Sequence, residues 1–339
     1  MRRTLEFLAL SFLILLLAVA GIAIFLIYLE MGTSADQAHY LAKLAEDLRW
    51  EVEKGAADPA EAALLTQAGP YDIRMGYSRL PEMLRNLTKH GFQISAQARL
   101  SPSMRELAAE GLFIPYREKT QAGLQVAGDR GKLLYRTVFP TRIYENFAAI
   151  PKIVTNSLLF IENRELLDVT HPKKNPAIEW NRLGKALLDK MTQFFQPEHD
   201  VVGGSTLATQ IEKYRHSPNG LTTTPLDKLQ QVLSASVRAY LDGEETMPHR
   251  QHIIMDYLNT VPLAGAPGYG EANGLGDGLW VWYGLDFDET NRILNSGFAR
   301  GDALTEAARL YKHVLSLMIA QRRPSYYLIS GRKALEELT

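Results

Sequence analysis

The 339 residues contain no cysteine, and that absence removes thiol nucleophiles, disulfides and cysteine-ligated zinc or iron–sulfur centres together. An excess of charge of either sign is also missing. Lysine and arginine number 37 against 38 aspartates and glutamates, a net charge of −1, so nothing points to nucleic acid. No His-Glu-x-x-His occurs and the histidines are scattered, which argues against a dedicated transition-metal site. The GxxxxGK[ST] pattern is absent too, so the glycine-rich stretches are not Walker nucleotide loops. Neither an internal repeat nor a low-complexity tract is evident.

What is present begins with a long apolar run. Phe7 to Leu29 carries no charge over 23 residues, enough to cross a hydrocarbon core of roughly 30 Å as a helix. Arg2 and Arg3 precede it, and positive charge on that side favours an N-terminus in the cytoplasm with the rest of the chain outside. A cleaved signal peptide is the competing reading. Its apolar region is usually about 7–15 residues, and Glu30-Met31-Gly32 is a poor cleavage site, so residues 1–32 are expected to be a retained anchor.

After the anchor, Ala35 to Glu53 reads as an amphipathic helix, with Tyr40, Leu41, Leu44, Leu48 and Val52 at three- to four-residue spacing. Further on, the pattern predicts helices over Leu80–Thr88 and Pro102–Ala109, and strands around Phe92–Ala98, Gly123–Ala127 and Lys132–Val138. Residues 33–140 thus read as a small α+β module. Residues 141–339 read as mostly helical, and a buried helix is expected over 303–319 with Ala303, Ala307, Leu310, Val314, Leu315 and Met318 on one face.

Two stretches invite chemistry. In Val201-Val202-Gly203-Gly204-Ser205-Thr206-Leu207-Ala208-Thr209-Gln210-Ile211-Glu212-Lys213, the glycines permit a tight turn and Ser205 or Thr206 can cap the following helix. Free N–H groups at such a start attract anions, and Lys213, about two turns in, adds a mobile positive charge suited to a phosphate or pyrophosphate. A capped helix with no ligand fits the same spacing. In Ser157 to Leu166, Glu162 is an isolated acid whose helical neighbours are Leu158, Leu159, Leu166 and the like-charged Glu165. Such surroundings predict a raised pKa, as a general base working near neutral pH requires, although a solvent-facing acid at a helix end has the same local sequence. Tyr214 to Thr224 reads as a mobile polar loop. Thr224 and Pro225 then start a helix with Leu226, Leu229, Val232, Leu233, Val237 and Tyr240 as its apolar face.

The stretch from Gly203 to Lys213 resembles the GGST-x-x-x-Q-x-x-K signature of the family 51 glycosyltransferases. These are the peptidoglycan-polymerising transglycosylase domains of class A penicillin-binding proteins and their monofunctional relatives. Other stretches resemble family motifs in the family's order. Glu162 and Arg164 match E-D-R-R-F, with Asn163, Glu165 and Leu166 departing from it and His171 out of register with the histidine that follows. Lys228 and Ala235 match R-K-x-x-E-x-x-x-A, but Asp227 replaces the arginine and Gln231 the second glutamate. His252 to Asn259 is similar to I-L-E-x-Y-L-N with Met255 at the glutamate. The stretches Gly265–Gly274, Leu279–Gly284 and Arg322–Tyr327 resemble the family's glycine-rich turn, its next helix end and its closing stretch.

The resemblance implies a mainly α, lysozyme-like glycosyltransferase domain over 141–339, preceded by one transmembrane helix and the α+β module. It implies polymerisation of lipid II with release of undecaprenyl pyrophosphate, at the outer face of a bacterial cytoplasmic membrane. Glu162 would take the acceptor proton and Gln231 would stand at the second catalytic position. Arg164, Gly204, Ser205, Thr206, Gln210, Lys213 and Lys228 would hold substrate, and Mg2+ or another divalent ion could assist at the diphosphate. The partners implied are lipid II, lipid-linked glycan strands, the membrane and other cell-wall synthesis proteins. Because glutamine can neither carry negative charge nor transfer a proton, a catalytically impaired module that binds lipid-linked precursors is the alternative. A lytic enzyme would need one acid but no anion site.

Overall fold

The computed structural model describes residues 2–65, 69–182, 184–185, 204–296 and 301–339. Helices dominate, and the sheets among the described residues are three separate two-stranded antiparallel pairs. The mainly α fold expected from the sequence is therefore the observed one.

Helix α1 (Arg2–Thr33) is apolar on all sides, and its large side chains at Phe7 and from Leu10 to Leu29 are exposed. An uncovered helix with no polar face matches a non-aqueous medium, and the 24 residues Leu10–Thr33 are long and apolar enough to cross a membrane.

Helix α2 (Ala35–Glu46) stops earlier than the periodicity predicts. Trp50–Lys54 forms strand β1, which pairs in register with β2 (Ala96–Leu100). Tyr40 and Val52, expected on the helical stripe, are exposed, while Leu48 is buried. The reason is tertiary. Trp50-Glu-Val-Glu-Lys also alternates with period two, and a partner strand some 46 residues on satisfies its backbone groups. Between and beyond these strands lie α3 (Pro59–Leu65), α4 (Pro70–Met75), α5 (Leu80–Lys89), α6 (Pro102–Ala109) and the hairpin β3 (Ala122–Ala127) to β4 (Leu133–Phe139). Helix α6 has the predicted bounds because Ser101 accepts a hydrogen bond from the Met104 amide and Pro102 takes the first turn.

The remainder contains α7 (Lys152–Glu162), α8 (Leu207–His216), α9 (Pro225–Ala239), α10 (Met247–Thr260), the hairpin β5 (Pro262–Ala266) to β6 (Gly270–Asn273), α11 (Gly274–Tyr283), α12 (Phe287–Ser296), α13 (Asp302–Ala320) and α14 (Arg332–Leu338). Val154, Leu158, Leu207, Ile254, Leu279, Val314 and Leu317 form the centre of its core. Each fully buried aliphatic side chain of this kind contributes about 1.5–3 kcal/mol. In α13 the buried stripe runs through Ala307, Leu310, Val314, Leu317 and Met318, whereas Ala303 is exposed and Leu315 only half-buried.

Two expectations change here. Tyr214, Arg215 and His216 are not loop but the last turn of α8, where Arg215 is buried among carboxylates. The apolar face of α9 also divides. Leu226, Leu229 and Leu233 are exposed, while Val237 and Tyr240 are buried. Val237 shares a cluster with Leu48, Leu100 and Met104, and Tyr240 with Ala38. The residues before 140 therefore pack their own core directly against α9.

Candidate active site

Glu162 is the last residue of α7, and the extended backbone of Asn163 ends the helix there. Its side chain is buried at 7% exposure, but the surroundings are less apolar than its helical neighbours suggest. Gln210 Nε2 donates to Oε2 at 2.9 Å, and Gln321 Nε2 donates to Oε1 at 2.9 Å. The Arg322 guanidinium stands 4.0 Å from Oε1, and Arg182 donates to the backbone carbonyl of Glu162. Tyr257 orients this arrangement, since its hydroxyl donates to Gln210 Oε1 at 3.3 Å and so turns the amide nitrogen towards the carboxylate. Burial, and then the charge of Glu162, push the Tyr257 phenol well above its ordinary pKa and keep it a donor. Two amides that only donate to Glu162 hold the carboxylate in place without competing for a proton, and each oxygen keeps a further acceptor position.

The second half of the site is the start of α8. Thr206 caps the helix reciprocally, with its amide donating to Thr209 Oγ1 at 2.9 Å and its own Oγ1 accepting from the Thr209 amide at 3.3 Å. Thr206 is fully buried and also donates to the Ala177 carbonyl. It shapes the turn, and its hydroxyl is engaged by the Thr209 amide and the Ala177 carbonyl. Ser205 and Gly204 are half-buried beside it, and Gly203 lies outside the described residues. Lys228, from α9, donates to Ser205 Oγ at 2.9 Å and Thr209 Oγ1 at 3.4 Å.

Burial, with a contribution from neighbouring Lys213, lowers the Lys228 ammonium to about 8. Lys213 is lowered by burial as well, against the opposing pull of Glu162. Among the described residues neither lysine has an ion-pair partner within 4.0 Å. Two half-buried ammonium groups that repel one another, beside a hydroxyl and a helix start, form a site that a dianion would relieve.

This donor set does not suit a bound divalent ion. It is made of ammonium, amide and hydroxyl groups, and among the described residues no cluster of three or more His, Asp or Glu side chains is arranged to hold a metal.

Other expected residues lie apart. Arg164 is exposed and folds back on its own helix, its guanidinium 4.2 Å from the Phe160 ring centroid and its Nε donating to the Phe160 carbonyl. The arginines near Glu162 are Arg182 and Arg322 instead. Gln231 is fully buried, and its Nε2 donates to Ser217 Oγ and Thr222 Oγ1, both at 2.9 Å. It brackets α9 to the turn after α8, and no hydrogen bond joins it to Glu162. Asp227 caps α9 through Thr223 and Thr224, and those bonds hold its carboxyl far below the usual range.

Sequence reasoning missed Thr209, Tyr257, Gln321 and Arg322. Thr209 had a local signal, three residues after a threonine cap. The other three are brought to Glu162 by folds that no local spacing records. A groove of about 560 Å³ runs past Gln210 and Lys213 to Asn273, Gln321 and Arg322, a size that admits sugar rings.

No curated protein matches the chain. The family model described as Transglycosylase matches residues 130–334, more than half of the chain and the whole of the region that carries Glu162, α8 and Lys228. The chain belongs to the family 51 peptidoglycan transglycosylases.

Proposed function

We propose that the protein is a peptidoglycan glycosyltransferase that polymerises lipid II into glycan strands and releases undecaprenyl pyrophosphate. The observation that carries this reading is one hydrogen-bonded carboxylate, Glu162, near two cations, Lys213 and Lys228, that have no carboxylate within 4.0 Å among the described residues. The acceptor 4-hydroxyl attacks the anomeric carbon of the donor sugar. Its proton passes to the Glu162 carboxylate, and the bond from that carbon to the diphosphate oxygen breaks. The electron pair leaves on the diphosphate, where Lys213, Lys228 and the Ser205 hydroxyl stabilise it. Helix α1 anchors the chain in the bacterial cytoplasmic membrane with the site on the outer side, where lipid-linked precursors and other cell-wall synthesis proteins are its partners. The boundaries 1–32, 33–140 and 141–339 divide it into anchor, module and transglycosylase domain.

A second reading, an impaired module that binds lipid-linked precursors, is favoured by one observation. Gln231 replaces an acid and is fully engaged by Ser217 and Thr222. A lipid II polymerisation assay read by gel separates the two. Wild-type protein that forms strands, with no gain in Gln231→Glu, supports the enzyme. Silent wild-type protein that gains activity in Gln231→Glu would establish the binding module.

A further inference from the structure

Helix α8 has a second face. Gln210 and Lys213 line the cleft, while at 100° per residue Glu212 and Arg215 fall on the far side of the helix with His216 beside them, Arg215 also reaching the border of the groove. Glu118, from the connection between α6 and β3, reaches this far face. Its Oε2 accepts from Arg215 Nη1, while its Oε1 lies 2.7 Å from His216 Nε2 and 3.1 Å from Arg238 Nη1. Arg215 also pairs with Asp256 Oδ2 at 3.0 Å and donates to Thr260 Oγ1 at 3.0 Å, both on α10. Arg238, on α9, donates to Glu212 Oε1 at 2.8 Å. One acid from outside the catalytic half thus bridges α8 and α9, and Arg215 carries the tie on to α10. Glu118 is 7% exposed in its side chain, and although burial pushes its carboxyl up, Arg238, Arg215 and His216 outweigh that and hold it well below the usual range.

The contact is close along its length. The Arg215 guanidinium lies 5.6 Å from the Tyr71 ring centroid, and a Cβ on Gly69 would stand 2.3 Å from the Arg215 carbonyl oxygen. A ten-residue helix has little stability of its own, so its rotation about its axis is set by what packs against it. On the cleft side Gln210 donates one hydrogen bond to Glu162 and accepts one from Tyr257, whereas the far side holds a buried ionic cluster.

We propose that Glu118 is a positioning residue for the diphosphate site, one that fixes the rotation of α8 from behind so that Lys213 and Gln210 face the cleft. The membrane-proximal segment is then part of the catalytic unit and not only a spacer. This rests on the reading of Lys213 as a diphosphate ligand.

The test is calorimetric titration of the full chain in detergent micelles with farnesyl pyrophosphate. The proteins compared are wild type, Lys213→Ala, Glu118→Gln, Glu118→Asp and the Glu118→Gln/Lys213→Ala pair. Glu118→Gln should weaken binding about five- to tenfold, a coupling of ordinary size, and should add nothing in the Lys213→Ala background. Glu118→Asp keeps the charge with one methylene less, remains folded, and should show a smaller loss of the same sign. In the polymerisation assay KM should rise more than kcat falls. Wild-type affinity in Glu118→Asp and Glu118→Gln, or a full additional loss in the double variant, would overturn the proposal. If Lys213→Ala binds as wild type does, the underlying reading of Lys213 fails instead, which is a separable result.

Discussion

The two faces of α8 use the same residue types for opposite ends. On the far face Arg215 meets Glu118 and Asp256, and Arg238 meets Glu118 and Glu212, so buried positive charge is matched by buried negative charge. On the cleft face Lys213 and Lys228 are half-buried, lie close enough to repel one another, and have no carboxylate within ion-pairing distance among the described residues. Paired cations fix a structure. Unpaired cations at the same depth store unfavourable charge that an anionic ligand relieves. The kind of side chain differs as well, since arginine can bond two or more acids at once and lysine acts as a point charge.

The sharpest way to break this comparison is at the acid that faces the unpaired cations. Glu162→Gln should lower the rate of lipid II polymerisation by about 10²–10⁴-fold, the usual contribution of a general base, while the thermal unfolding midpoint stays near wild type. More than a tenth of the wild-type rate would remove Glu162 from the mechanism.

Next in size is the contrast between one residue from each face. Arg215→Met takes the arginine from buried Asp256 and leaves Glu118 with Arg238 and His216 alone, and it should cost about 3–5 kcal/mol in chemical denaturation. Lys213→Met removes a charge that has no ion-pair partner among the described residues, so stability should hold or rise slightly while binding of a pyrophosphate-linked donor falls. Equal loss of stability in both variants would erase the distinction between the faces.

A smaller effect comes from pH. An anionic ligand favours protonated Lys228, whose ammonium titrates at about 8 in the free protein. Affinity for farnesyl pyrophosphate should decline as pH rises above that value, and Lys228→Arg, which stays charged, should flatten the decline. The effect on stability has the opposite sign. Because the folded value lies below the ordinary lysine value, the penalty for the buried charge is present below pH 8 and is relieved as pH rises beyond it.

The smallest expected change is at the cap. Thr206→Ala should cost about 1 kcal/mol of stability, a typical threonine cap, and should not alter KM beyond what the loosened helix start causes. A large, selective rise in KM with unchanged stability would place Thr206 in the substrate-binding set.

Much of this protein was legible along the chain. An apolar run with flanking arginines defines α1, and Thr224 with Pro225 defines the start of α9, because caps and spans are local physics. The stretch Ser205 to Lys213 declared its own helix start and its charge for the same reason. Local reasoning failed where a distant partner decided. Trp50–Lys54 became a strand because Ala96–Leu100 could satisfy its backbone, and Tyr214–His216 became helix because Glu118, Asp256 and Thr260 accept what Arg215 and His216 offer.

The sequence by itself determined that this chain carries an anchor-length helix, an isolated acid at Glu162 and a capped, cationic helix start, since each depends on residues within a few turns of one another. Only the tertiary structure decided that Gln210 and Gln321 hold the carboxylate, that Lys228 joins Ser205, that Asp227 and Gln231 are spent on a cap and a bracket, and that Glu118 sits behind α8. Apart from the Asp227 cap, those contacts join residues 14 to 159 positions apart in the chain, and their energies exist only once the core has brought the helices together.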